Sequence, residues 1–172
     1  MPAGNTAVVS YPNVYAYYDR TLPGFSQLTS SFTETTPTDA GTLAEASYDI
    51  WFDNPGHLAN EVMIQTDFTG RDANCGGRAW AAEGVQFGGS NGVPVHSWNL
   101  CDGGGTEWWE SADGNIPSGS VDILAMLNWL AGHGYLNPGA SLHSVSYGWE
   151  ISSTGGQPET FTVTSFTLTA TP

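Results

Sequence analysis

Apolar and polar residues alternate with period two through most of this chain, in short runs set apart by glycine-rich turns. That is the pattern of strands with one face buried and the other free. Over residues 61–68, Val62, Ile64, Thr66 and Phe68 point one way, and Glu61, Met63, Gln65 and Asp67 the other. Over 141–152, His143, Val145, Tyr147, Trp149 and Ile151 share a face, while Ser144, Ser146, Gly148, Glu150 and Ser152 share the opposite one. Over 43–52, Tyr48, Ile50 and Phe52 oppose Asp49 and Trp51. Similar runs predict strands at 10–18, 25–33, 78–87, 93–100, 106–111 and 159–171. Turn signals between them include Asp53-Asn54-Pro55-Gly56, Asp102-Gly103-Gly104-Gly105 and Thr154-Gly155-Gly156.

One segment departs from this pattern. Ile123, Met126, Leu127 and Leu130 recur at the spacing of one helix face, which predicts a helix over 121–131. Ser120 is its expected N-cap, Asp122 suits the positive end of the dipole, and Gly132 or Gly134 can end it. A lone amphipathic helix among strands is expected to pack on the outside of a sheet. Short β-branched and aromatic runs predict an all-β sandwich or barrel rather than alternating βαβ units. No internal repeat or linker interrupts the 172 residues, so one domain spanning 1–172 is expected.

Charge narrows the partners. Lys and Arg together number 3 against 17 Asp and Glu, a formal net charge of -14. Such a surface repels phosphate backbones and anionic lipid, which argues against nucleic acid and against membrane as partners. Aromatics make up 12% of the chain, so a neutral or cationic partner met through flat apolar faces and hydrogen bonds is expected. Met1-Pro2-Ala3-Gly4 leads straight into polar sequence, without the basic and then apolar run of a signal peptide. Cys75 and Cys101 cannot make a four-ligand zinc site by themselves; a disulfide between them is expected, with two buried thiols as the alternative. His57, His96, His133 and His143 have no metal-ligand spacing, and surface or core roles are expected for them.

The candidate chemistry lies in three acids. Glu61, Asp49 and Glu150 each fall on the less apolar face of a strand, and around Glu150 the neighbours are serine and glycine, which leaves room above the sheet. Each alone fits a solvated face. Together they could line one concave surface, with aromatic residues such as Trp51 offering flat faces to sugar rings. Two carboxyls about 5–5.5 Å apart suffice for glycoside hydrolysis with retention, one attacking and one donating a proton.

Four motifs in order carry a family resemblance: Ser10-Tyr11-Pro12-Asn13-Val14-Tyr15, Ala46-Ser47-Tyr48-Asp49-Ile50-Trp51-Phe52-Asp53, Asn60-Glu61-Val62-Met63-Ile64 and Ser146-Tyr147-Gly148-Trp149-Glu150-Ile151. The chain resembles glycoside hydrolase family 12, compact endoglucanases and xyloglucanases, over most of its length. The resemblance implies a β-jelly-roll of two antiparallel sheets with one helix on the convex side. It implies a retaining endo-β-1,4-glucanase that acts on cellulose, mixed-linkage glucan or xyloglucan, without metal or organic cofactor. Carried onto this sequence, it implies Glu61 as nucleophile, Glu150 as general acid/base, Asp49 as the carboxyl that tunes Glu61, and Met63 as a cleft-floor contact. The pair needs opposite ionisation, which like charges held close can supply.

Two departures bear on sugar binding. Where the family's strand continues with a sugar-stacking Trp, this chain has Gln65, and the family's opening strands with their Asn-x-Trp-Gly segment have no counterpart. Trp108 or Trp109 could replace the platform, although adjacent residues of a strand point to opposite faces. Trp80 and Trp98 are expected at the core or the cleft edge. A secreted monomer that binds a neutral β-glucan is the leading expectation. The rival is a glycan-binding jelly roll without turnover.

Overall fold

The computed structural model describes Met1, Gly4 and residues 6–70 and 75–172; Pro2 and Ala3 of the opening lie outside these. The chain forms ten strands, one α-helix and two 3-10 turns among the described residues. The strands are β1 (Asn13–Thr21), β2 (Gln27–Thr35), β3 (Thr42–Asp53), β4 (Glu61–Thr69), β5 (Ala82–Phe87), β6 (His96–Asp102), β7 (Thr106–Ser111), β8 (Ser118–Asp122), β9 (Ser141–Thr154) and β10 (Thr162–Thr171). They build a seven-stranded sheet in the order β1-β9-β3-β4-β7-β6-β5 and a three-stranded sheet, β10-β2-β8. Neighbours run antiparallel except β4 and β7, which pair in parallel. This is the β-jelly-roll sandwich that the motifs imply. No helix among the described residues is long and apolar enough to cross a membrane.

The core lies between the sheets because the apolar faces read by alternation meet there. Tyr48, Ile50, Val62, Ile64, Val145 and Tyr147 from the large sheet are fully buried, as are Leu28 and Phe32 from the small one. Tyr48 and Tyr147 stand side by side with centroids 4.5 Å apart, and Phe166 of β10 stacks on Tyr147 at 5.6 Å. Buried phenols need partners. The Tyr48 hydroxyl donates to Ser30 Oγ at 2.9 Å, and the Tyr147 hydroxyl lies 3.2 Å from Thr66 Oγ1.

The helix α1 is Ile123–Gly132, and its start differs from the expected one. Asp122, not Ser120, is the N-cap, and its Oδ1 accepts from the Ala125 amide at 3.1 Å. Ser118–Asp122 forms β8 instead, an edge strand paired with β2 that shows no apolar alternation of its own. The helix ends as glycine allows: Gly134 has φ +83°, and the Tyr135 amide reaches back to the Leu130 carbonyl at 3.0 Å. Ile123, Met126, Leu127 and Leu130 are buried as the spacing predicts. Trp129 meets Trp109 of β7 edge-on at 5.2 Å, so the helix covers part of the large sheet's inner face.

A bulge changes one face assignment. In the β3–β4 ladder Ala46 pairs with Asp67 and Ser47 with Gln65, which leaves Thr66 unopposed. An extra residue reverses the alternation beyond it. Asp67 therefore turns to the interior and Phe68 to the outer face, opposite to the sequence pattern. A second irregularity, between Trp51 and Phe52 in the β3–β9 ladder, takes His143 out of the core face; it is exposed, 3.0 Å from Asp53. Cys75 and Cys101 are bridged, with Cα atoms 5.4 Å apart.

Candidate active site

The outer face of the large sheet forms a cleft, and its floor can be read in rows across the ladders. One row is Thr106, Glu61, Trp51, Ser144 and Tyr17. The next is Trp108, Met63, Asp49, Ser146 and Tyr15. A cavity of about 540 Å³ opens here, bordered by Met63, Gln65, Thr106, Trp108, Glu110 and Glu150 among others. The sheet thus brings Glu61, Asp49 and Glu150 to one face of three neighbouring strands, β4, β3 and β9.

Each acid has its own surroundings. Glu61 is half-buried, and its Oε2 accepts from Thr106 Oγ1 at 3.0 Å. Burial raises its carboxyl above the ordinary range, the Thr106 hydrogen bond pulls it back, and the Glu150 charge pushes it up again. Asp49 is buried, and burial with the charges of Glu150 and Glu61 pushes it up to about 7; the Ser47 and Tyr11 hydroxyls act against this. The Tyr11 hydroxyl donates to the Ser47 carbonyl at 3.2 Å, which ties the Ser10–Tyr15 motif beneath Asp49. Gly148, between Ser146 and Glu150, is required here, because a Cβ would strike the backbone of Pro12 and Asn13.

Glu150 is offset along the cleft. It pairs with Glu45 while Glu61 pairs with Trp51, six positions further along β3. Its charge nevertheless acts on both other acids.

The candidate binding residues separate cleanly. Met63 and Gln65 line the cleft, and Gln65 Nε2 donates to Glu45 Oε1 at 2.8 Å. Trp51 is 40% exposed beside Glu61. Trp108 lines the cleft opposite Met63, whereas Trp109 points the other way and is fully buried against Phe87 and Trp129. Strand alternation therefore removes Trp109 from the sugar-binding candidates and leaves Trp108. Trp98 is likewise core. No group of three or more His, Cys, Asp or Glu among the described residues is placed to hold a metal.

Six lining residues escaped the sequence: Thr6, Glu45, Phe68, Gly76, Thr106 and Glu110. Glu45 shares the parity of Asp49, and Glu110 that of Trp108, so extending the alternation would have found both. Thr106 reaches Glu61 only through the parallel β4–β7 pairing, and Phe68 arrives through the bulge.

No protein-family model and no curated protein sequence matches the chain. Solved structures do. The xyloglucanase domain of a type three effector from Sinorhizobium fredii, in complex with cellobiose, superposes with a TM-score of 0.77 at 26% identity, covering 97% of this chain and 77% of that one. An endoglucanase from Rhodothermus marinus gives 0.72 at 22%, covering 99% and 78%. A family 12 xyloglucanase from Bacillus licheniformis gives 0.76 at 19%, covering 98% and 78%. The chain has the jelly-roll fold of glycoside hydrolase family 12, the family its motifs resemble, and spans nearly four-fifths of these members' length.

Proposed function

We propose that this protein is a retaining endo-β-1,4-glucanase, secreted and free of cofactor, that cleaves a neutral glucan such as cellulose, mixed-linkage glucan or xyloglucan. The observation that carries the proposal is the placement of Glu61, Asp49 and Glu150 on the cleft face, with the Glu150 charge acting on both Asp49 and Glu61, in a fold whose solved neighbours are family 12 hydrolases. Glu61 attacks the anomeric carbon while Glu150 protonates the leaving oxygen; the sugar is then bound to Glu61 as an ester. Glu150, now a base, takes a proton from water, which releases the sugar with retained configuration. Asp49 in its protonated form adds no third negative charge beside Glu61. The buried disulfide fits an oxidising, extracytoplasmic setting.

Release of oligosaccharides from mixed-linkage glucan and xyloglucan, by the parent and by Glu61→Gln, tests the proposal. Release by the parent alone supports Glu61 as nucleophile; equal release by both removes it. The offset of Glu150 favours a second reading, a cleft that binds glucan without cleaving it. Binding with no release by the parent would establish that reading instead.

A further inference from the structure

Three cationic side chains stand against 17 acidic ones in this chain, so the placement of a single arginine beside the cleft carries information. Arg78 follows the short 3-10 turn Cys75–Gly77. Cys75 is bridged to Cys101 of β6, and Cys101 stands opposite Trp108 in the β6–β7 ladder. The bridge therefore carries the turn to the indole. The Arg78 backbone amide donates to the Cys75 carbonyl at 3.0 Å and its Nε to the same oxygen at 3.4 Å, folding the side chain back along the turn. Its guanidinium carbon then lies 5.1 Å from the centre of the Trp108 ring.

The indole is held from other sides as well. Trp108 Nε1 donates to Glu110 Oε1 at 3.0 Å. Gly103 lies close against the ring, where an added Cβ would come within 2.8 Å of Cζ3. Gly76, next to the bridged cysteine, borders the same cleft as Trp108, so the turn is one of its walls. Glu107, next to Trp108 in sequence, feels the Arg78 charge.

We propose that Arg78, carried on the disulfide-anchored turn, is a positioning residue that fixes the Trp108 indole as the glycan-stacking platform of the cleft. This rests on the glucan-binding reading and deepens it: the platform the family places at the position of Gln65 has moved one strand across, to Trp108. A planar guanidinium is suited to stacking on an aromatic face. An aromatic ordered before binding spares the ligand the entropic cost of ordering it.

Near-ultraviolet circular dichroism of the intact protein reads the order of Trp108 without any glycan, because the difference from Trp108→Phe isolates its band. Arg78→Ala is expected to lose most of that band, and Arg78→Lys, which keeps the charge but not the planar fork, to retain part of it. Calorimetric affinity for cellotetraose is expected to weaken about two- to five-fold in Arg78→Ala. The same change added to Trp108→Phe is expected to have no further effect. An unchanged Trp108 band overturns the proposal. So does a loss of affinity that persists without Trp108, since Arg78 would then act on the sugar directly. If the parent binds no cellotetraose, the glucan reading falls, and the dichroism still decides whether Arg78 positions Trp108.

Discussion

Glu34 of β2 and Asp67 of β4 face each other across the interior of the sandwich, two buried acids each acting on the other's ionisation. The bulge at Thr66 is what turns Asp67 inward. Burial and the Asp67 charge push Glu34 up to about 8, and burial raises Asp67 as well. Thr36 also reaches this pair, and the Tyr147 phenol, raised by burial, faces it from β9.

This pair sets a pH dependence of stability. Below the ordinary glutamate range both folded and unfolded Glu34 hold a proton, and nothing changes. As pH rises from about 4.5 to about 8, the unfolded chain gives up the proton while the folded one keeps it, so stability falls, and the loss is complete above about 8. Glu34→Gln is expected to flatten that decline and to gain about 1–3 kcal/mol at the alkaline end. Thermal melts of both proteins from pH 4 to 9 check this; parallel curves would remove Glu34 as the cause.

The faces of β3, β4 and β9 were legible because each presents an apolar set to the other sheet, and period two is a property of any strand so placed. Asp49, Glu61, Met63 and Glu150 could therefore be assigned to one side before any ladder was known. What was not legible was set by long-range pairing. A bulge inserts a residue without altering composition, so Asp67 and Phe68 exchanged faces unseen. β8 is an edge strand of Ser-Gly-Ser sequence that exists because β2 pairs with it, and its formation moved the helix cap from Ser120 to Asp122.

The acid cluster predicts its own rate profile. With Asp49 pushed up to about 7 by burial and the charges of Glu150 and Glu61, its carboxyl gives up its proton near neutrality. The kcat/KM profile on mixed-linkage glucan should therefore fall as pH rises through about 7. In Asp49→Asn one negative charge is gone, the remaining carboxyls ionise more readily, and the alkaline limb should move to lower pH. An unmoved limb would separate Asp49 from the reacting groups.

The adjacent tryptophans should behave as opposites. Trp109→Ala leaves a hole against Phe87 and Trp129 and is expected to cost about 3–5 kcal/mol of stability. Trp108→Ala removes a half-exposed ring from the cleft and should leave the melting temperature nearly unchanged. Its glucan affinity should drop by about 0.5–1.5 kcal/mol beyond the lost burial. Denaturant melts beside calorimetric titrations distinguish the two; a large stability loss in Trp108→Ala would contradict its assignment to the cleft.

The Cys75–Cys101 bridge spans a sequence separation of 26 residues. In the chain-entropy model, closing a loop of that size removes unfolded-state freedom worth about 3–4 kcal/mol. Replacing both cysteines by serine should lower stability by that order. It should also loosen the turn that carries Arg78, since Cys75 supplies the carbonyl to which Arg78 donates twice. Glucan affinity and global stability should therefore fall together in the double variant, whereas in Arg78→Ala affinity falls and stability holds. Urea unfolding and cellotetraose titration of both variants check this. A double variant of undiminished affinity would show that the indole keeps its place without the bridge.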